Sequence, residues 1–234
     1  MEDVMAAHET PGTDGAILLH PEHEHWPAEF ADLGSIAPRR IFALGALDLL
    51  QSQARTALIG GRTATVAGRA AGAALAAGLA ARGEALITPA ETGTDLAVVD
   101  AARRAGGRVI AITDRPPAEA GHIARAAQRG ILERGGLILW EASSPRGGRT
   151  SHRSARLIAA LAARLVLVEI GARSAGMTAA AIAGGLSRAV AATPTDQSRP
   201  GRGTRQLLAA DLATLVHTPD ELDALSDPRT LAHL

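Results

Sequence analysis

The chain contains no cysteine, no tyrosine and no lysine, and among its 234 residues only two are tryptophan and two are phenylalanine. Without cysteine there is neither a disulfide framework nor a thiolate metal site. With 2% aromatic residues in a chain that is 47% hydrophobic, alanine, glycine, leucine and valine must do the packing, which brings neighbouring layers close together. No apolar run approaches the roughly 18–20 residues that span a bilayer, and the first residues are acidic rather than basic, so neither a spanning helix nor a secretory signal is expected. A soluble, cytoplasmic chain with no membrane partner is the expectation. The length suits one α/β domain with an extension.

The net charge of zero hides a division along the chain. Before Arg39 there are 8 acidic residues and no basic one; from Arg39 to Ala210 there are 23 arginines against 11 acids; after Ala210 there are 5 acids and one arginine. A basic centre lies between acidic flanks, and its cations are all arginine, whose planar fork suits phosphate. Solvated helix faces would give the same count, so the segregation alone does not name a ligand.

Residues 56–69 organise the rest. A short apolar run ends at Gly60 and Gly61, a small polar loop carries Arg62 and Thr65, and an alanine-rich helix passing Gly68 follows. This is the strand–loop–helix opening of a Rossmann-like unit, where the first turn of the helix presents free N–H groups to an anion. It is neither a G-x-G-x-x-G fingerprint nor a phosphate loop of the G-x-x-x-x-G-K-[ST] kind. Downstream, strands are predicted at 57–59, 85–88, 108–112, 137–140, 165–169, 189–192 and 214–217. Helices are predicted at 66–82, 95–105, 119–134, 152–163, 176–184 and 204–210. Gly83, Gly106 and Gly135 fall where left-handed helix caps belong. Short, wholly apolar strands alternating with helices predict a parallel sheet covered on both faces, an extended Rossmann-like α/β fold. The chain is divided as an acidic extension and lead-in at 1–45, a Rossmann-like domain at 46–224 and a tail at 225–234. Residues 1–14 read as a polar arm, 16–19 as a short strand, 27–33 as a short helix and 41–44 as a further strand.

Ligands of such sheets collect at the carboxyl ends of the strands. The rule selects the loops after residues 59, 88, 140, 169 and 193, which carry arginine, serine, threonine and glycine but set no nucleophile beside a base. Glu141 and Glu169 face this edge; they either act as an acid–base pair or orient arginines and cap helices. His20, Glu22, His23, Glu24 and His25 lie in a proline-bounded loop, and no metal site is expected there because nothing obvious makes those ligands converge. No cofactor is expected, and Trp140 is expected to be buried rather than to serve as a stacking platform.

In order, these motifs resemble the DprA/Smf family of DNA-processing proteins over about residues 17–222. Ile17-Leu-Leu-His-Pro with Trp26, Pro38 and Phe42-Ala-Leu-Gly45 resembles the family's lead-in. Gly60-Gly-Arg-Thr-Ala-Thr-Val-Ala-Gly68 resembles its Gly-Ser-Arg loop, and Thr92-Gly-Thr-Asp95 its Gly-Ile-Asp. Arg153-Ser-Ala-Arg156 lies where the family has an arginine-rich helix, Val168-Glu-Ile-Gly-Ala-Arg-Ser174 where it has Val-Glu-Ala and Ser-Gly, and Arg202-Gly-Thr-Arg205 where it has Ser-x-Gly-Thr-Asn. The chain departs from the pattern at Gly61, Pro89, Val99, Ala155, Ala160, Ala175, Thr195 and Arg205. The resemblance implies a non-enzymatic protein that binds single-stranded DNA in a basic pocket, forms a homodimer and delivers DNA to a RecA-type recombinase in recombination and natural transformation. It implies DNA or phosphate contacts from Gly60, Gly61, Arg62, Thr65, Gly68, Gly93, Asp95, Arg153, Arg156, Arg173, Ser174, Arg202 and Arg205, with Arg62 and Arg156 expected to face solvent. Two alternatives stand beside this reading. One is a nucleotide sensor or nucleoside-monophosphate phosphoribohydrolase on the related fold; the other is a partner subunit that has lost its ligand.

Overall fold

The computed structural model describes residues 15–52, 55–91, 93–141, 151–197 and 199–225. The arm at 1–14, Thr92, the loop at 142–150 and the tail from 226 lie outside the described residues. Among the described residues nine strands form one sheet: β1 (Ile17–Leu19), β2 (Ile41–Gly45), β3 (Arg55–Gly60), β4 (Ala85–Thr88), β5 (Val109–Thr113), β6 (Leu137–Glu141), β7 (Arg164–Val168), β8 (Ala189–Ala192) and β9 (Thr214–Leu215). Their spatial order is β1-β2-β6-β5-β4-β3-β7-β8-β9. From β3 to β9 every pairing is parallel. The expectation of a purely parallel sheet is corrected at one side, where β2 runs antiparallel to β6 and β1 antiparallel to β2. These two strands come from the lead-in, whose Leu19, Phe30, Leu33 and Ile41 are buried in the same core as the strands of the basic centre.

The helices are α1 (Val66–Ala81), α2 (Thr94–Arg104), α3 (His122–Leu132), α4 (Ser151–Leu161), α5 (Ala175–Gly185), α6 (Arg202–Ala209) and α7 (Pro219–Ala224). On one face of the sheet α1, α2, α3 and α7 pack over Leu58, Leu86 and Val166; on the other, α4 and α5, the 3₁₀ segment Ala28–Ile36 and Leu207 of α6 pack over Ile59, Ile110 and Leu165. Small residues set the spacing: a methyl group added at Gly72 of α1 would lie 3.1 Å from both Thr94 and Val168. The predicted left-handed caps are present, with φ of +81° at Gly83, +79° at Gly106 and +67° at Gly135. The predicted helix at 119–134 is broken. Proline at 116 and 117 holds a 3₁₀ turn at Pro117–Glu119, and α3 starts only after Gly121. Helix α7 was not expected from sequence, although Thr218 caps it by accepting the Glu221 N–H at 3.3 Å, with Pro219 as its first residue.

Acids from the described parts of both flanks reach the amino edge of the sheet, where arginines stand at the starts of several strands. Arg164, which opens β7, donates from Nη2 to both carboxylate oxygens of Glu84 at 2.7 Å and from Nε to Thr56 Oγ1 at 3.2 Å. Thr56 in turn donates to Glu84 at 2.6 Å, and Asp223 of α7 closes the group by accepting from Arg164 Nη1. Arg55 bonds Glu29 and the Leu50 carbonyl, Arg108 bonds Asp48, Arg188 bonds Asp32, and Arg82 bonds Asp220 and Asp223. Of these acids, all but Glu84 come from outside the basic centre or from its first residues. Segregation in sequence has become pairing in space.

Candidate nucleic-acid interface

Because the seven parallel strands point one way, their carboxyl ends share a single edge. The order of strands reverses at β3, whose neighbours are β4 and β7, the place where ligands of such sheets collect. The glycines expected to admit a ligand are in fact fitted to the protein's own loops. Gly60 donates its N–H to Asp95 Oδ1 at 3.0 Å, and a Cβ at Gly60 would lie 2.1 Å from the Cβ of Thr94. Gly61 donates to the Val168 carbonyl at 2.9 Å, and its Cβ would lie 2.2 Å from the Glu169 carbonyl oxygen. Gly93 has φ +60°, and a Cβ there would run into the carbonyls of Gly61 and Arg62. Closing three loops on one another this tightly leaves no room for side chains.

The first turn of α1 is occupied as well. Glu169, 1% exposed and with φ +47°, follows β7 and turns its carboxylate onto that turn. Thr65 N–H donates to Glu169 Oε2 at 2.6 Å, Thr65 Oγ1 donates to Oε1 at 2.9 Å, and the same hydroxyl accepts the Gly68 N–H at 3.0 Å. A Cβ at Gly68 would meet the carboxylate at 2.3 Å. Thr65, expected to receive a phosphate, instead receives the protein's own anion, and the Gly68 N–H is taken by the Thr65 hydroxyl. Between Glu141 and Glu169 the structure decides for orientation and capping: Glu141 pairs with Arg156 at 2.7 Å while Glu169 caps α1.

Two expected contacts are corrected by burial. Arg156 is not a solvent-facing cation; its guanidinium donates to Glu141 and the Ile36 carbonyl at 2.7 Å and to the Arg153 carbonyl at 2.8 Å, and its side chain is 13% exposed. It ties α4 to β6 and to the lead-in. Asp95 is buried under the rim, and burial pushes its pKa to about 8, with the Gly60 N–H opposing and the neighbouring Glu91 adding to the rise. An acid held there fastens the loop after β4 to the end of β3. Glu91 itself is raised by burial and by Asp114, against the pull of Arg115 and Arg62.

The remaining cations lie where they were expected. Arg62 follows β3, Arg173 follows β7 and Arg202 opens α6 after β8; all three are exposed, with no carboxylate among the described residues within 4 Å of them. Ser174 begins α5, its N–H donating to the Gly171 carbonyl at 3.1 Å and its Oγ buried without a hydrogen-bond partner among the described residues. Arg205 donates to the Asp196 carbonyl, which folds the loop after β8 back on α6. Arg153, at the start of α4, is half-buried. Three further exposed arginines join this edge and were not singled out from sequence. Arg115 lies two residues past β5, in a strand-end loop that the selection after residues 59, 88, 140, 169 and 193 did not include. Arg39 and Arg40 precede Ile41, which pairs with Glu141 at the carboxyl end of β6. Only the antiparallel direction of β2 brings them there. Trp140 is 2% exposed and stacks on the half-buried Phe42 at 5.5 Å, and the half-buried Trp26 packs edge-on against the buried Phe30 at 5.3 Å. In the histidine loop His20 bonds Glu22 at 2.8 Å, and among the described residues no three His, Asp or Glu side chains gather as a metal site would require. No described helix is long and apolar enough to cross a membrane.

Comparison with known proteins gives this geometry a context. The model of the family described as DNA recombination-mediator protein A matches residues 17–226. The putative DNA processing protein DprA of Mycobacterium tuberculosis, in strains CDC 1551 / Oshkosh and ATCC 25618 / H37Rv, is 35% identical over 224 residues, covering 86% of this chain and 56% of the relative. The chain thus spans little more than half the length of the curated relatives it matches. The X-ray structure of DNA processing protein A from Streptococcus pneumoniae superposes with a TM-score of 0.78 at 22% identity, over 92% of this chain and 75% of that one. DNA processing protein A from Helicobacter pylori, whose structure concerns its single-stranded DNA binding mode, gives 0.74 at 20% identity, over 88% and 93%. A molybdenum cofactor binding protein from Rippkaea orientalis gives 0.53 at 16% identity, over 74% and 95%. At such identities the superpositions establish the shared fold.

Proposed function

We propose, for a chain that belongs to the DNA recombination-mediator protein A family, that it binds single-stranded DNA along the carboxyl edge of its sheet and serves DNA recombination without itself performing chemistry. The observation that carries this reading is the distribution of free charge. Arg39, Arg40, Arg115, Arg62, Arg173 and Arg202 are exposed on that one edge, whereas on the opposite edge Arg55, Arg82, Arg108, Arg164 and Arg188 are bonded to carboxylates and Arg134 is exposed. A row of guanidiniums reads the sugar–phosphate chain and not the bases, so binding is sequence-neutral and driven by counterion release. With Trp140 and Phe30 in the core and Trp26 and Phe42 half-buried, base stacking adds little, and salt dependence is correspondingly steep. In the same proposal the protein acts as a homodimer and hands the strand to a RecA-type recombinase; family membership supports these two parts. Arg153, Ser174 and Arg205 border the path of the strand, while Gly60, Gly61, Gly68, Gly93 and Asp95 hold its floor. A nucleotide sensor or phosphoribohydrolase is disfavoured by the carboxylate lying across the first turn of α1.

The test is a titration of labelled oligo-dT at two salt concentrations with wild type and R62A. Affinity should fall steeply with salt, and R62A should bind roughly tenfold more weakly, with the slope of log K against log salt reduced by about 0.7. The melting temperature of R62A should stay at the wild-type value. Absence of strand binding in low salt, or an R62A titration identical to wild type, overturns the reading.

A further inference from the structure

The position where a Rossmann-like fold presents α1 to a phosphate is filled in this molecule by a side chain of its own, and we infer that Glu169 sets ligand specificity by excluding free phosphate and mononucleotides from the crevice at the first turn of α1. Three observations converge. The carboxylate takes the N–H and hydroxyl of Thr65, at 2.6 and 2.9 Å, groups that would otherwise serve an incoming anion. It lies so close to the helix that Gly68 can carry no side chain, leaving no layer for a phosphate between them. The residue holds a left-handed backbone, φ +47°, that a non-glycine side chain adopts only when the surroundings hold it there. Outside it a hollow of about 300 Å³ is lined by Ala67, Gly68, Ala71, Pro194, Thr195 and Asp196, with Glu169 at its floor. An anion entering that hollow meets two acidic residues and a helix turn whose Thr65 and Gly68 N–H groups are already taken.

The consequence is selection by length. A single phosphate has only this crevice to gain from and is repelled there, whereas a polynucleotide spans the arginines on either side and does not need the helix turn. This inference does not depend on strand binding, and the two are read separately: oligo-dT titration reports on the rim, pyrophosphate titration on the crevice.

The experiment is calorimetric titration of inorganic pyrophosphate, at constant ionic strength, into wild type and E169G. Glycine suits the left-handed backbone, removes the charge and opens the first turn of α1. Wild type should show no saturable binding in the millimolar range; E169G, confirmed folded by circular dichroism, should gain saturable binding at least roughly tenfold tighter. Saturable binding by wild type overturns the inference and requires no variant to fold. If E169G does not fold, E169N takes its place, since asparagine tolerates the same backbone and stops one methylene short without charge. A folded variant that gains no binding also overturns it. So does unfolding of both, which would make Glu169 a structural cap and nothing more.

Discussion

The two edges of the sheet are built from the same cation and put to opposite uses. At the amino edge, Arg55, Arg108, Arg164 and Arg188 stand at the starts of strands and meet Glu29, Asp48, Glu84 and Asp32. At the carboxyl edge, Arg62, Arg115, Arg173 and Arg202 stand at the ends of strands or just beyond them and face water. The segment Ala28–Ile36 between β1 and β2, and α7 after β9, carry their acids back across the sheet to the first edge. The second edge carries acids of its own, Glu91, Asp114 and Asp196 among them. An arginine tied to a carboxylate holds the fold together, and one left in solvent is available to an external anion. The same net charge of zero would follow from random mixing, but random mixing would leave neither edge with a field.

Substitutions that separate the two edges test this contrast. The largest effect on stability is expected for R164A. It leaves Glu84, with its side chain 9% exposed, without its cation, and loss of one partner of a buried pair costs about 3 kcal/mol or more. Thermal denaturation should show a drop of roughly 6–12 °C, with oligo-dT affinity of the folded protein unchanged; weakened DNA binding at constant stability would erase the distinction between the edges. Next is Asp95, the acid under the carboxyl rim. Its folded pKa of about 8 lies above its ordinary 3.8, so between those values the folded chain keeps a proton that the unfolded chain has released. Stability therefore falls as pH rises through that window and levels off above it. From pH 6 to pH 8 wild type should lose roughly 2 kcal/mol relative to D95N, which retains an acceptor for the Gly60 N–H. Parallel denaturation profiles for the two proteins would show that Asp95 is ionised at pH 6. R156A should cost about 1–2 kcal/mol with a small effect on DNA affinity, because this arginine lies near the carboxyl edge but is used as a tie. A strand-binding defect as large as that of R62A would return Arg156 to the rim. The smallest effect is expected for R108A. Its pair with Asp48 is 46% and 62% exposed, and chemical denaturation should register less than about 1 kcal/mol.

Much of the molecule was legible before any coordinates. The parallel strands were short, apolar and punctuated by glycine, and each lies within one to three residues of its expected ends at most. Gly83, Gly106 and Gly135 marked helix ends correctly because a left-handed cap is a local requirement that glycine meets alone. Where local signals competed, prediction slipped. The doublet of prolines at 116 and 117 outweighed the helical spacing that followed, and the capping group Thr218-x-x-Glu221 was readable but overlooked beside an edge strand. The site divided in the same way. The loops carrying Arg62, Arg173 and Arg202 followed from strand ends and one topological rule. Arg39 and Arg40 did not, since their position depends on the direction in which β2 pairs.

By itself the sequence determined the fold class, the closeness of its layers and the existence of a basic centre between acidic flanks, because periodicity, residue size and charge order are properties of a chain read locally. Only the tertiary structure decided which arginines are spent on carboxylates and which remain free. It also decided that the turn of α1 is filled by Glu169, 104 residues away from Thr65. The reason is one of range: a hydrogen bond or ion pair is settled over about 3 Å, and no spacing along the chain records which distant groups the sheet will bring that close.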